Sequence, residues 1–415
     1  MIDDVRRPRK KSKIVEDQNK QLAETEIQEQ KPELEAPHLY EKEEGFVAAG
    51  ASSQLPHFHF GWPHLIFKHA TKKQRIFGAV LIVVLVLGGG TGVYALNKTF
   101  NSGGNQAAPI AVKIEAQPTA PTTEASKLTG VQISPELNKR PITSIQIENS
   151  PDARPQSGLK DAGVVFEAIA EGGITRFNAS FQESLPDYIG PVRSVRPYYA
   201  ALVAPFDPVF VHAGGSADGL AKLRELGLKD MDHGANAAAF KRISERYAPH
   251  NLYTSTADLD KASAGRGYTT SAAKPFARKQ EKTGQPVTAR TVNLAISSVL
   301  YNVHYDYDQA SNTYKRSEGG KPHTDQRSGQ QLAPKTVVAL VMSFSQRGIY
   351  SVYQTNGSGK AYVFQDGTVQ IGTWTKAGDK EQIVFTDATG KPLPLNAGQT
   401  WITLVKAENA VTHAP

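Results

Sequence analysis

The sequence predicts an α+β protein: a two-part extracytoplasmic body, mixed α/β in its first part and mainly β in its second, tethered by one transmembrane helix. Three observations predict it. The first is a run of 21 uncharged residues, Ile76–Leu96. The second is a change near residue 127, where Gln/Glu/Lys-rich and Pro/Thr-rich sequence gives way to regular apolar alternation. The third is the pattern inside that body, where strand and helix signals mix up to residue 270 and alternating strands with Gly, Asn and Asp turns follow.

At roughly 150 residues per domain, a chain of 415 residues has room for two or three domains. Its net charge of +7 is uneven, with +1 on residues 1–126 and +6 on residues 127–415. The absence of Cys excludes a disulfide scaffold, a thiol nucleophile, a Cys-anchored lipid and a thiolate zinc site. A pI near 9.2 permits anionic partners such as wall polymer or lipid headgroups. The basic residues are scattered and are not interleaved with aromatics, so no nucleic acid is expected.

As a helix, Ile76–Leu96 would be about 31 Å long, enough to cross a hydrocarbon core of about 30 Å. A signal peptide would have a shorter apolar region near the N-terminus, and a buried helix would show a polar stripe. Lys68, Lys72, Lys73 and Arg75 precede the span and only Lys98 follows closely. The sequence therefore places residues 1–75 in the cytoplasm as a disordered tail and the body outside the cell membrane. Gly88 and Gly92 have the spacing of a helix-dimer contact, although glycine is common in membrane helices anyway, so a homodimer is only weakly indicated. His57-Phe58-His59-Phe60-Gly61-Trp62 reads as an interfacial anchor in preference to a metal site. Residues 97–126 are a Pro/Thr-rich spacer that gives the body reach. Residues 127–270 form the expected α+β domain, 271–287 a linker and 288–415 the mainly β domain.

In Val164–Phe181 two alternating runs meet at Gly172-Gly173, which suits a two-residue hairpin. In that register Glu171 faces Ile174, Ile169 faces Arg176 and Glu167 faces Asn178, so Glu167, Glu171, Arg176 and Asn178 share one face. The competing reading is a helix that starts near Asp161 and stops at the glycines. On a strand the two carboxylates would stand about 13 Å apart at Cα, too far for the roughly 5–9.5 Å of a glycosidase pair. Next, Pro197 suits the first turn of a short helix, with Arg193 and Arg196 just before it. The two arginines form either an anion pocket or pairs with surface carboxylates. Val209–Leu226 reads as strand, Gly-Gly loop, Ser216 cap and helix, and it departs from the dinucleotide, Walker and nucleophile-elbow patterns. His212 ends that strand as an acid/base group or, by the plainer reading, a hydrogen-bonded one. Arg246 and His250 flank a loop, where polar residues more often serve binding. No His-x-His or H-E-x-x-H spacing occurs in the body expected outside the membrane, so no metal and no cofactor are expected.

The runs ENSPDARPQSGL (148–159), EAIAEGGITRF (167–177), GPVRSVRP (190–197), HAGGS (212–216) and APHNLYTS (248–255) together resemble the YerB-like bacterial family. YDYDQASNTYKR (305–316), GKPHTDQRSGQQL (320–332) and DGTVQIGTW (366–374) resemble its C-terminal part. The resemblance spans roughly residues 130–410 and implies an envelope setting and a two-part body. It implies no activity, cofactor or catalytic residue. Members are often described as lipoproteins, and this chain departs from them in having no Cys to acylate.

The function expected from the sequence is a membrane-tethered extracytoplasmic binding or regulatory module, acting on the wall or on a wall enzyme. The alternative is a hydrolase or transferase working on an anionic envelope polymer. Candidate ligand-binding residues are Arg154, Glu167, Glu171, Arg176, Arg193, Arg196, His212, Ser216, Arg246 and His250. The binding reading further expects Arg176, Arg193, Arg196, His212 and His250 to line a common anion cleft, and a salt-bridged network without a ligand is its plain competitor.

Overall fold

The computed structural model describes residues 122–415. In chain order, the strands of its two larger sheets include β1 Thr143–Glu148, β2 Val164–Glu171, β3 Ile174–Phe181, β4 Val209–His212 and β5 Lys229–Asp232. β6 Thr291–Leu294, β7 Val303–Asp308, β8 Thr313–Glu318, β9 Thr336–Val341 and β10 Tyr350–Tyr353 follow. The last are β11 Gly357–Gln365, β12 Thr368–Lys376, β13 Val384–Asp387, β14 Thr400–Val405 and β15 Val411–Ala414. Two short helices bear on the site, α1 Pro197–Val203 and α2 Ala217–Leu226.

One 12-stranded sheet takes strands from both halves of the sequence, in the order β13-β12-β11-β9-β14-β2-β3-β1-β4-β5, with β10 adding to β2. A five-stranded sheet holds β8-β7-β6-β15 and the short strand Lys321–Pro322. Central strands of such a sheet are covered on both faces, and every residue of VVFEAIAE in β2 and TWITLV in β14 is buried. Phe166, Ala168 and Ile402 pack on the face covered by α1 and α2. Ile169, Val337 and Phe364 pack on the opposite face, against the smaller sheet.

This architecture corrects the expected fold class. The described protein is mainly β, in place of a mixed α/β first part joined to a β second part. The joint is the parallel pairing of β14 with β2, Thr400 opposite Val164 through Thr403 opposite Glu167. Parallel neighbours need a long crossover. Here the crossover is more than half of the described chain and not a single helix, so no local pattern announces it. No helix among the described residues is long and apolar enough to cross a membrane, so the expected tether is not supported by them. The expected span Ile76–Leu96, the tail before it and the spacer up to residue 121 lie outside the described residues. Glu124–Ala125, from the end of the expected spacer, pairs with Gln132–Ile133 and belongs to the fold.

Several local readings match their elements. α1 begins at Pro197, and α2 is capped by Ser216, whose side chain accepts from the Gly219 N–H at 3.2 Å. The chain turns at Gly172 and Gly173 with φ of 55° and 82°, as a two-residue hairpin requires.

Candidate functional site

The hairpin carries an irregularity that rearranges the expected site. Glu171 does face Ile174, but the register slips between Ile169 and Glu171, so Glu167 faces Phe177 and Ala168 faces Arg176. Ala170 is the extra residue of a β-bulge, and one extra residue reverses the alternation beyond it. Glu167 therefore lies on the face of Phe177 and Trp401, whereas Glu171 joins Arg176 on the face of α1. The expectation that Glu167, Glu171 and Arg176 share one face fails for this reason. The helix alternative, on which alone the two carboxylates could have paired, is replaced by a strand over Val164–Glu171.

On the α1 face the polar side chains form two clusters. In the first, Glu171 receives Arg176 through Oε1 and Arg196 through Oε2, the latter with Nε at 3.0 Å and Nη2 at 2.8 Å. Arg176 also donates to the carbonyl and hydroxyl of Ser194, each at 3.0 Å. Arg196 stands at the N-cap position of α1 and stacks over the Tyr350 ring. Burial and the neighbouring Arg176 lower the pKa of Arg196, and Glu171 opposes that drop.

The second cluster is built on Glu148 at the end of β1. Its Oε1 accepts from the Ser150 hydroxyl at 2.9 Å, meets His250 Nδ1 at 2.9 Å and lies 3.4 Å from Arg193 Nε. Burial works to raise this carboxyl, but Arg193 and the hydrogen-bonded His250 outweigh it and bring it down to about 2. The same bond, with the charge of Glu148, raises His250 above 6.5. Glu148 therefore contributes stability above pH 4.5 that is lost as pH falls toward 2. His250 contributes below pH 6.5, and its share is lost as pH rises through its higher folded value. Urea unfolding of the full-length chain should show both contributions complete only between pH 4.5 and 6.5. His250→Gln should flatten the decline on the alkaline side, and an unchanged profile would remove the pair from the account.

On the opposite face a third cluster joins the two halves of the chain. Arg316 of β8, fully buried, donates from Nη2 to Glu167 Oε1 at 2.8 Å and lies 3.5 Å from Glu318 Oε2. The second oxygen of Glu167 accepts from Trp401 Nε1 at 3.0 Å and the Thr403 hydroxyl at 3.1 Å. His323 accepts from Arg316 through Nδ1 and faces the Gln156 amide oxygen through Nε2 at 2.8 Å, which fixes the Nε2–H tautomer. Burial, reinforced by Arg316, pushes His323 well below 6.5 and keeps it neutral. Burial also raises the Glu318 carboxyl, against the pull of Arg316 and Arg154. Glu318 accepts from Asn149 at 2.6 Å and lies 3.3 Å from Arg154 Nη2.

The remaining expected residues hold backbone. Arg246 donates to the carbonyls of Ala153 and Pro155 at 2.6 and 2.7 Å and to the Tyr253 hydroxyl at 2.7 Å. Arg154 donates to the Leu300 carbonyl at 2.8 Å and to Asn149. His212 is fully buried between the Gly214 carbonyl, 2.7 Å from Nδ1, and Asp230 Oδ1, 2.9 Å from Nε2. Ser216 serves as the cap of α2. The structure thus gathers Arg176, Arg193 and Arg196 under one face, with His250 beside them and His212 at the end of β4. It gives them carboxylate or carbonyl partners in place of a shared open cleft. A cleft of about 310 Å³ lies instead beside the other end of β1, among Lys139, Arg140, Asp260 and Tyr268. Among the described residues, no group of three or more His, Asp or Glu could hold a metal ion.

Sequence reasoning missed Glu148, Arg316, Glu318 and His323 as site residues. The signal for two of them is present. Tyr314, Arg316 and Glu318 occupy alternate positions of β8, so the charges fall in phase with a buried aromatic.

Comparison with known proteins gives concordant results. Residues 128–269 match the family described as "Protein of unknown function (DUF3048) N-terminal domain", and residues 292–402 match its C-terminal domain. The chain is 34% identical over 286 residues to "Putative lipoprotein YerB" of Bacillus subtilis strain 168, covering 67% of this chain and 85% of the relative. The crystal structure of YerB protein from Bacillus subtilis superposes with a TM-score of 0.64 at 31% identity. That match covers 70% of this chain and 99% of the other.

Proposed function

The chain belongs to the DUF3048 family of proteins of unknown function, and from that footing we propose that it is an extracytoplasmic binding or regulatory module of the bacterial cell envelope. The description of the Bacillus relative as a lipoprotein supports the placement. One observation carries the choice of binding over catalysis: each candidate proton-transfer group is committed inside the fold. Glu167 is held by Arg316, Trp401 and Thr403, Glu171 by Arg176 and Arg196, and His212 by Gly214 and Asp230. Hydrolysis of a glycan or an ester needs an acid or base that reaches the substrate or a water. Binding needs only a preorganised surface.

Incubating the full-length chain with purified wall sacculi should release no sugar or peptide fragments above the buffer blank. In intact cells the same chain should crosslink to a component of the envelope. Fragment release that disappears in Glu167→Gln, Glu171→Gln or His212→Gln, in a variant that melts like the wild type, would replace binding with hydrolysis.

A further inference from the structure

The charged side chains and the backbone groups beside them share a second property: between them they fasten loops whose tips are apolar and open to solvent. Tyr247 is 90% exposed, Val299 78% and Leu300 51%, and Ile349 at the turn before β10 is 39% exposed. The Tyr247 loop is fixed by Arg246 on the Ala153 and Pro155 carbonyls, and by the His250 N–H on the Tyr247 carbonyl at 2.9 Å. The 295–302 loop is fixed by Arg154 on the Leu300 carbonyl, by Arg154 stacked over the Tyr301 ring, and by the Ser297 hydroxyl on the Gly173 carbonyl at 2.7 Å. Ile349 is fixed by the Gly172 N–H on its carbonyl at 3.0 Å, next to Tyr350, over which Arg196 lies. These contacts run unbroken from one tip to the next around the hairpin end of β2 and β3.

We infer that these tips form a docking surface for another protein of the envelope, one that offers apolar pockets to Tyr247, Leu300 and Ile349. The inference rests on the binding reading above and supplies its kind of partner. Tyr247 is of a residue type enriched in protein-binding hot spots, and holding the large apolar tips beforehand lowers the ordering cost of association. Charge decides against an anionic polymer or lipid. Although the body as a whole carries +6, the tip segments do not share that excess. Within residues 243–251 Glu245 balances Arg246, and beside them Asp152 balances Arg154. Lys241 and Arg242 belong to the preceding strand, where Arg242 donates to Asn251. Arg347 is paired with Asp218, and residues 295–302 carry no charge. A surface selected for wall polymer or acidic headgroups would keep free cations among its apolar groups.

The test places a photo-crosslinking amino acid at Tyr247, Leu300 or Ile349 of the full-length chain in the cells that make it. Ile371 and Val384, 44% and 56% exposed on β12 and β13, serve as controls. The three tip positions should give one shared protease-sensitive adduct that the control positions do not. The adduct protein, identified and purified, should bind the full-length chain at least tenfold more weakly when Tyr247→Asp and Leu300→Asp are combined, with the melting temperature unchanged. Equal adducts from the controls, no adduct at all, or wild-type affinity in the double variant would each overturn the docking surface. Loss of binding to phosphatidylglycerol vesicles or to sacculi in the double variant would assign the tips to lipid or wall and overturn it too. The binding reading itself falls only if no position crosslinks to any envelope component or sacculi are turned over.

Discussion

Arg316→Ala should destabilise the full-length chain by about 3–5 kcal/mol, the range for removing one partner of a buried ion pair. Arg316 has no exposed surface, and its loss would leave Glu167 and Glu318 facing each other inside the protein with no cation between them. It would also empty the space over the Trp401 ring, where the guanidinium carbon lies 4.5 Å from the ring centre. Arg316→Met combined with Glu167→Gln and Glu318→Gln should recover much of the loss, because the desolvated charges disappear together. Arg327→Ala, at a side chain 60% exposed, should change stability by no more than the roughly 0–1 kcal/mol of a surface pair. Urea unfolding that found Arg316→Ala no worse than Arg327→Ala would remove the third cluster as the lock between the two halves.

The parts of this fold that obey local rules are legible in the residues themselves. β2 and β3, the Gly-Gly turn between them, Pro197 opening α1, Ser216 capping α2 and strands such as Thr400–Val405 follow from alternation, capping and turn chemistry. What escapes those rules is non-local or one residue deep. The parallel pairing of β14 with β2 joins Trp401 to Val165 across the whole intervening chain, so the two halves read as separate layers when they share a sheet. The bulge at Ala170 moves Glu171 to the other face without changing any residue type or spacing. The candidate residues do stand out as unusual, since their charges sit in strands and loops that are otherwise apolar. Their common explanation as internal fasteners needs Glu148 and Glu318, whose partners lie far away in sequence.

Glu171→Ala should show the largest effect on the α1 face, again about 3–5 kcal/mol, because Arg176 and Arg196 would be left side by side with the carboxylate between them removed. Arg196→Gln should act through the same cluster with a smaller loss, since Arg176 keeps Ser194 and Glu171. A double-mutant cycle between Glu171 and Arg196 should return a coupling of about 0.5–3 kcal/mol, as neighbours in one network do.

The central claim is that these charges act through the loops they hold and touch no ligand themselves. Amide hydrogen exchange on full-length Glu171→Gln, read beside crosslinking from Ile349, tests it most directly. Exchange at the Gly172 amide, which donates to the Ile349 carbonyl, should be faster, and the adduct from Ile349 weaker. Unchanged protection at Gly172 with the adduct lost would mean that Glu171 meets the partner itself, and would contradict the claim.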